Sequence, residues 1–221
     1  MCCVVRLNPR PDGGKPGGLH FFDDDGIVVV QVRKNEPMAP ARPLMTVDEY
    51  FRTPETVLPA ELVYGILHVA EAPTPRHQSA VAQLFVALRA NVFERRLGQV
   101  WLSPLDVVLD PVKALVVQPD LMFISNAREW IVQDRVRGAP DLVVEVLSPH
   151  PRIGRTEEHL QWFAEYGVRE CWLVHQDQKR LVVVTFDDQQ IHERRLIGKT
   201  EPITSSVLPD FSLSLQQILD L

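Results

Sequence analysis

Cysteine is rare in this sequence. There are three, Cys2, Cys3 and Cys171, an odd number with no C-x-x-C spacing. That excludes a disulfide framework and a cysteine zinc site, and fits reduced thiols in the cytoplasm. Cys171 lies in an apolar strand and reads as core. No apolar run reaches the ~18 residues that a membrane-spanning helix needs. The first residues, MCCVVRLNPRPDGG, lack the apolar core of a signal peptide. A basic surplus is missing too: the net charge is −6 and the isoelectric point about 5.6. This excludes strong non-specific nucleic-acid binding through a broad basic surface. It leaves room for a small basic groove and for an acidic metal site, which itself adds negative charge. There is no internal repeat, no nucleophile motif G-x-S-x-G and no phosphate-binding P-loop.

What is present is an ordinary globular composition, 45% hydrophobic and 24% charged over 221 residues. Residues 1–42 differ from the rest. They hold PRPDGGKPGG, FFDDDG, a candidate strand GIVVVQVRK and the proline-rich NEPMAPARP. They read as an irregular, partly disordered arm. Residues 43–221 read as one domain. Thr46 and Glu49 form a capping box that opens a short helix, TVDEYFRTPE. ELVYGILHVAEA (61–72) predicts a strand pair or a bent strand around Gly65. In the segment 74–98, Val81, Leu84, Phe85, Leu88 and Val92 fall at helical spacing, and Gly98 is the expected stop. Strands are expected at 99–103, 105–110 and 114–125, then a short helix and loop over 128–138. A strand follows at 142–147, an amphipathic helix at 151–168, strands at 169–176, 180–188 and 190–197, and a terminal helix at 213–221. This order predicts an α/β protein of the α+β kind, a mixed sheet with helices on its faces.

Glu145 stands out because it interrupts the apolar strand LVVEVL (142–147). A buried carboxylate must be protonated, paired or bound to a metal. Asp141 shares the strand face but sits about 13 Å away at ~3.3 Å per residue, too far to share an ion. It reads as a strand-entry residue bonding nearby backbone. Asp120 lies in a separate apolar segment, VVQPDLMFI. If that segment pairs with the Glu145 strand, the two carboxylates face each other at about 5 Å. A divalent cation would resolve their repulsion, and oxygen ligands favour Mg²⁺ or Mn²⁺ over zinc. Pairing of each acid with an arginine is the alternative.

The segments RPLMTVDEYFRTPE, ELVYGILHVAEAPTPRHQSAV, VVQPDLMFIS, GAPDLVVEVLSP and a helix ending in EYGV before RECWLV occur in that order. Together they resemble the Uma-two family of endonucleases, within the PD-(D/E)XK, or restriction-endonuclease-like, superfamily. The resemblance spans about residues 43–221. It implies a restriction-endonuclease-like core with flanking helices. It also implies a Mg²⁺- or Mn²⁺-dependent endonuclease that hydrolyses DNA phosphodiester bonds. By position, Asp120 matches the first core acid, Glu145 the acid of the (D/E)XK element, and Glu61 a further acidic ligand. The backbone carbonyl of Val146 would join the metal shell. His77 matches a family histidine near substrate or a site carboxylate.

One departure bears on activity. The third position of E-x-K is Leu147, and the lysine that the family takes from the next helix falls on His159. The family's nearby acidic position falls on Arg155. None of the five lysines, Lys15, Lys34, Lys113, Lys179 and Lys199, stands at the expected place. Such a lysine orients the attacking water and stabilises developing charge. His159 can serve as a base near neutral pH, and Arg155, one helical turn earlier, can supply a permanent charge or touch substrate. Two readings stay open: a nuclease adapted to histidine, or a slow or inactive nuclease fold that binds nucleic acid or a protein partner. Arg76, Arg89, Arg95, Arg96, Arg128, Arg135 and Arg137 are candidate phosphate contacts, or a solvated face. A homodimer is the simplest arrangement for cutting both strands of a duplex.

Overall fold

The computed structural model describes residues 21–22, 28–29, 43–54, 58–147 and 156–220. The chain divides into two units, Met1–Pro43 and Leu44–Leu221. Of the first unit, a two-stranded antiparallel ladder is described: β1 (Phe21–Phe22) pairs with β2 (Val28–Val29). The rest of the candidate strand GIVVVQVRK lies outside the described residues.

In the second unit, α1 (Val47–Phe51) starts at the Thr46 capping box. The Thr46 side chain accepts from the Glu49 N–H, and Glu49 accepts from the Thr46 N–H at 2.7 Å. β3 (Ala60–Val63) and β4 (Ile66–Val69) form a hairpin through Tyr64 and Gly65, both at positive φ. Gly65 is required there. A Cβ on it would stand 2.8 Å from the Leu44 Cβ.

α2 (Pro75–Arg95) is capped by Thr74 and begins with a proline, the one place a helix accepts it freely. The helix does not run to Gly98 as expected. Arg96 takes the left-handed conformation and ends it. Gly98 instead opens β5 (Gly98–Leu102), where a Cβ would collide with the Ile124 carbonyl at 2.1 Å.

β6 (Val107–Asp110) and β7 (Leu115–Val117) pair antiparallel. The apolar run 114–125 is not one strand. It breaks at Gln118-Pro119-Asp120, and β8 (Leu121–Ser125) continues in a different sheet. Pro119 has no N–H to give to a ladder, so the change of sheet happens where a hydrogen bond could not form anyway. The expected helix at 128–138 is a 3₁₀ turn, Asn126–Ile131, followed by β9 (Val136–Arg137). β10 (Leu142–Val146), α3 (Thr156–Tyr166) and β11 (Glu170–His175) form a βαβ unit, with β10 and β11 parallel. Residues 151–155 of the expected helix, Arg155 among them, lie outside the described residues. β12 (Arg180–Asp187), β13 (Gln190–Ile197) and α4 (Leu215–Leu219) complete the chain.

The expected mixed sheet is therefore two sheets. One has the order β13-β12-β11-β10-β8-β5, the other β4-β3-β7-β6-β9. Strand alternation divides the core. Leu142, Val144 and Val146 of β10 pack with Leu121 and Phe123 toward α2 and α4. Val143 packs on the opposite side with Met122, Ile124, Leu160 and Phe163, beside Val107, Leu109, Leu115 and Val117 of the second sheet. Glu145 has the parity of Val143. Its side chain thus belongs to the face covered by α3 and the five-stranded sheet. No helix among the described residues is long and apolar enough to cross a membrane.

Candidate active site

β8 and β10 pair antiparallel in the register Leu142↔Phe123, Val143↔Met122, Val144↔Leu121. Extended by one residue, that register puts Asp120 opposite Glu145. The Asp120 Oδ2 also accepts a hydrogen bond from the Val146 N–H at 2.7 Å, which ties the acid to the end of β10. Glu61 comes from β3 and is 4% exposed. Its Oε1 accepts from the Gln118 N–H at 3.2 Å. Glu61, His77, Asp120, Glu145, Val146, Leu147 and His159 all line one cavity of about 250 Å³.

The two histidines contact one acid each. His77, at the start of α2, brings Nε2 to 3.2 Å from Asp120 Oδ2. His159, in the first half of α3, brings Nε2 to 3.3 Å from Glu61 Oε2. That approach lacks hydrogen-bond geometry, so both atoms are buried without a hydrogen bond. The His159 ring is held by Trp162, with centroids 5.0 Å apart, and by the edge of Phe163 at 6.0 Å.

Charge dominates this cavity. Burial, then the Asp120 charge, then the Glu61 charge push the Glu145 carboxyl well above its ordinary range. Glu145 thus takes up a proton easily when no cation is near. Among the described lining residues there is no lysine and no arginine. Oxygen donors with an adjacent imidazole, and an unbonded buried Glu61 oxygen, are the chemistry of a site for a hard divalent cation. Among the described residues no three such side chains already stand close enough to form a ready-made cage. The residues fit the charge and donor type of such a cation.

Other candidates fall elsewhere. Asp141 is 1% exposed and accepts from the Ser125 N–H at 2.8 Å, with Arg169 and Arg128 beside it. It is a strand-entry residue, as its position suggests. The arginines are largely engaged within the chain. Arg128 reaches the Gly167 carbonyl at 3.2 Å, Arg135 pairs with Asp106, Arg137 with Asp134, and Arg76 with Asp177. Arg95 lies near Glu94 and Asp210, and Arg89 sits over the Phe93 ring. None of these six, nor Arg96, lines the cavity. Cys171 is fully buried in the core.

Two residues not picked out by the sequence support the site. The Gln118 side chain accepts from the Ala60 N–H at 3.1 Å and donates to Asp106 Oδ1 at 2.9 Å. The one available signal was a polar residue interrupting an apolar run directly before Pro-Asp.

The sequence profile of the Uma2 family, described as "Putative restriction endonuclease", matches residues 47–216. The chain belongs to this family. A crystal structure of a "putative nuclease" from Anabaena variabilis ATCC 29413 superposes with a TM-score of 0.66 at 19% sequence identity. The match covers 80% of this chain and 98% of that one, and it shows a shared fold. Among curated proteins, none matches the chain in sequence.

Proposed function

We propose that this Uma2 member is a divalent-metal-dependent endonuclease that hydrolyses DNA phosphodiester bonds. The observation that carries the reading is the meeting of Glu61, Asp120 and Glu145, from the two sheets and the link between them, on one cavity whose described lining holds no lysine and no arginine. The Asp120, Glu145 and Glu61 carboxylates, with the Val146 carbonyl, would hold Mg²⁺ or Mn²⁺. A bound ion supplies Lewis acidity and neutralises charge on the phosphate.

The protein's own groups do the rest. Asp120 is fixed by the Val146 N–H and by His77. His159 stands where the family lysine is expected. Its ring orientation is set by Trp162 and Phe163, and Nε2 faces the cavity beside Glu61. In this mechanism His159 Nε2 takes the proton of the attacking water, a role imidazole fills near neutral pH. A homodimer is the simplest arrangement for cutting both strands of a duplex, and we propose it as the active form, with the cytoplasm as the place of action.

A second reading is an inactive nuclease fold that binds nucleic acid or protein. The histidine in place of the lysine favours it. Calorimetry with Mn²⁺ and Mg²⁺ tests the site first. The wild type binds, and the Asp120→Ala/Glu145→Ala double variant does not. Plasmid cleavage then separates the two readings. Cleavage that is lost in His159→Ala and retained or raised in His159→Lys supports the histidine-adapted nuclease. Metal binding without cleavage, even in His159→Lys, supports the inactive one.

A further inference from the structure

The site is assembled from two sheets. Glu145 belongs to the six-stranded sheet, Asp120 directly precedes its strand β8, and Glu61 belongs to the five-stranded sheet. The short link Gln118-Pro119-Asp120 is where the chain passes from one sheet to the other. We infer that Gln118 is the positioning residue that sets Glu61 against the other two acids, an inference that rests on the metal-site reading above.

The geometry is specific to glutamine. Its backbone N–H holds Glu61 Oε1 at 3.2 Å. Its side-chain oxygen holds the N–H of Ala60, the neighbour of Glu61, at 3.1 Å. Its side-chain nitrogen donates to Asp106 Oδ1 at 2.9 Å. Asp106 is itself anchored by the Tyr50 hydroxyl at 2.9 Å and by the Arg135 Nε at 3.2 Å. Both ends of the amide are thus assigned: the oxygen must face Ala60 and the nitrogen must face Asp106. A glutamate would set a carboxylate against Asp106. An asparagine, one methylene shorter, cannot reach both partners.

The β3 strand does not need this amide in order to fold. It pairs with β4 from Ala60↔Val69 to Val63↔Ile66, and with β7 at Leu62↔Val116. What the amide adds is a fixed place for the Ala60–Glu61 end, two residues from that last ladder pair. Partners of this kind, one step behind a ligand, typically change metal affinity 10- to 100-fold.

The test is a double-mutant cycle read by Mn²⁺ calorimetry on the full chain, with melting curves as a fold check. Gln118→Leu is expected to weaken Mn²⁺ binding about ten-fold in the wild-type background. In a Glu61→Ala background it is expected to change nothing further, because its effect runs through Glu61. If Gln118→Leu does not fold, Gln118→Asn takes its place with the same expectation. Equal losses in both backgrounds, or no loss in either, would overturn the inference while leaving the metal site standing. Absence of Mn²⁺ binding in the wild type would overturn the metal-site reading and this inference with it.

Discussion

The Glu145 carboxylate meets three unfavourable conditions together: burial, the charge of Asp120 and the charge of Glu61. Each raises the cost of its ionised form, and a cation is the group that would turn all three to advantage. The metal-free protein should therefore carry a stability penalty at this residue. Replacing the acid by its neutral isostere removes the repulsion and keeps the shape. Glu145→Gln is expected to melt higher than wild type in chelator at neutral pH, by ~2–4 °C for each kcal/mol recovered in a chain of this size. Scanning calorimetry in EDTA reads this directly. A lower melting temperature would mean that Glu145 makes a favourable contact in the empty site. Residues such as this one are legible in sequence because an acid inside LVVEVL violates an otherwise apolar pattern.

At the scale of elements, α3 is tied to the second sheet by polar contacts that the sequence does not reveal, among them Lys113 Nζ donating to Glu165 at 2.7 Å. The Tyr166 hydroxyl donates to Asp110 Oδ2 at 2.9 Å, while Asp110 Oδ1 accepts the N–H groups of Val112 and Lys113. Burial pushes the Asp110 carboxyl up, but the Lys113 N–H, the Tyr166 hydroxyl and the Val112 N–H outweigh it and hold it below its ordinary 3.8. Burial likewise moves the Tyr166 hydroxyl up to about 12. A depressed carboxyl pKa stabilises the fold above the unfolded value and loses that contribution as pH falls through the folded one. Tyr166→Phe should thus cost about 1 kcal/mol near neutrality, and the difference from wild type should shrink below about pH 4, as Asp110 is protonated in both proteins. Urea unfolding at the two pH values checks it, and a pH-independent difference would locate the role of Tyr166 in packing instead. The contact joins residues 56 positions apart, beyond the reach of any local pattern. Local signals do account for what was foreseen: the Thr46 capping box, the Gly65 hairpin and the βαβ unit around α3. The break at Gln118-Pro119-Asp120 was missed because an apolar run shows burial without showing which sheet it serves. Asp106 and Gln118 were missed because their importance lies in partners brought together only by folding.

For the molecule as a whole, the site joins the two sheets across a cavity in which the Asp120 and Glu61 charges both oppose ionisation of Glu145. A cation bound by Glu61 on one side and by Asp120 and Glu145 on the other would tie the sheets together, so local binding should appear as global stability. A ligand that binds only the folded state stabilises it by RT ln(1 + [L]/Kd), about 2.7 kcal/mol at a hundred-fold excess over Kd. For a chain of this length that is a rise of roughly 5–10 °C. Mn²⁺ is expected to raise the melting temperature by this amount, progressively with concentration, and chelator to reverse it. Asp120→Ala/Glu145→Ala should abolish the rise. Glu61→Ala should leave part of it, because Glu145 on the six-stranded sheet and Asp120 beside it remain while the tie to the other sheet is cut. A full rise in Glu61→Ala would mean that the ion sits on one sheet alone. Glu61 would then act through His159, 3.3 Å away, and the family's lysine position would be coupled to the metal only indirectly.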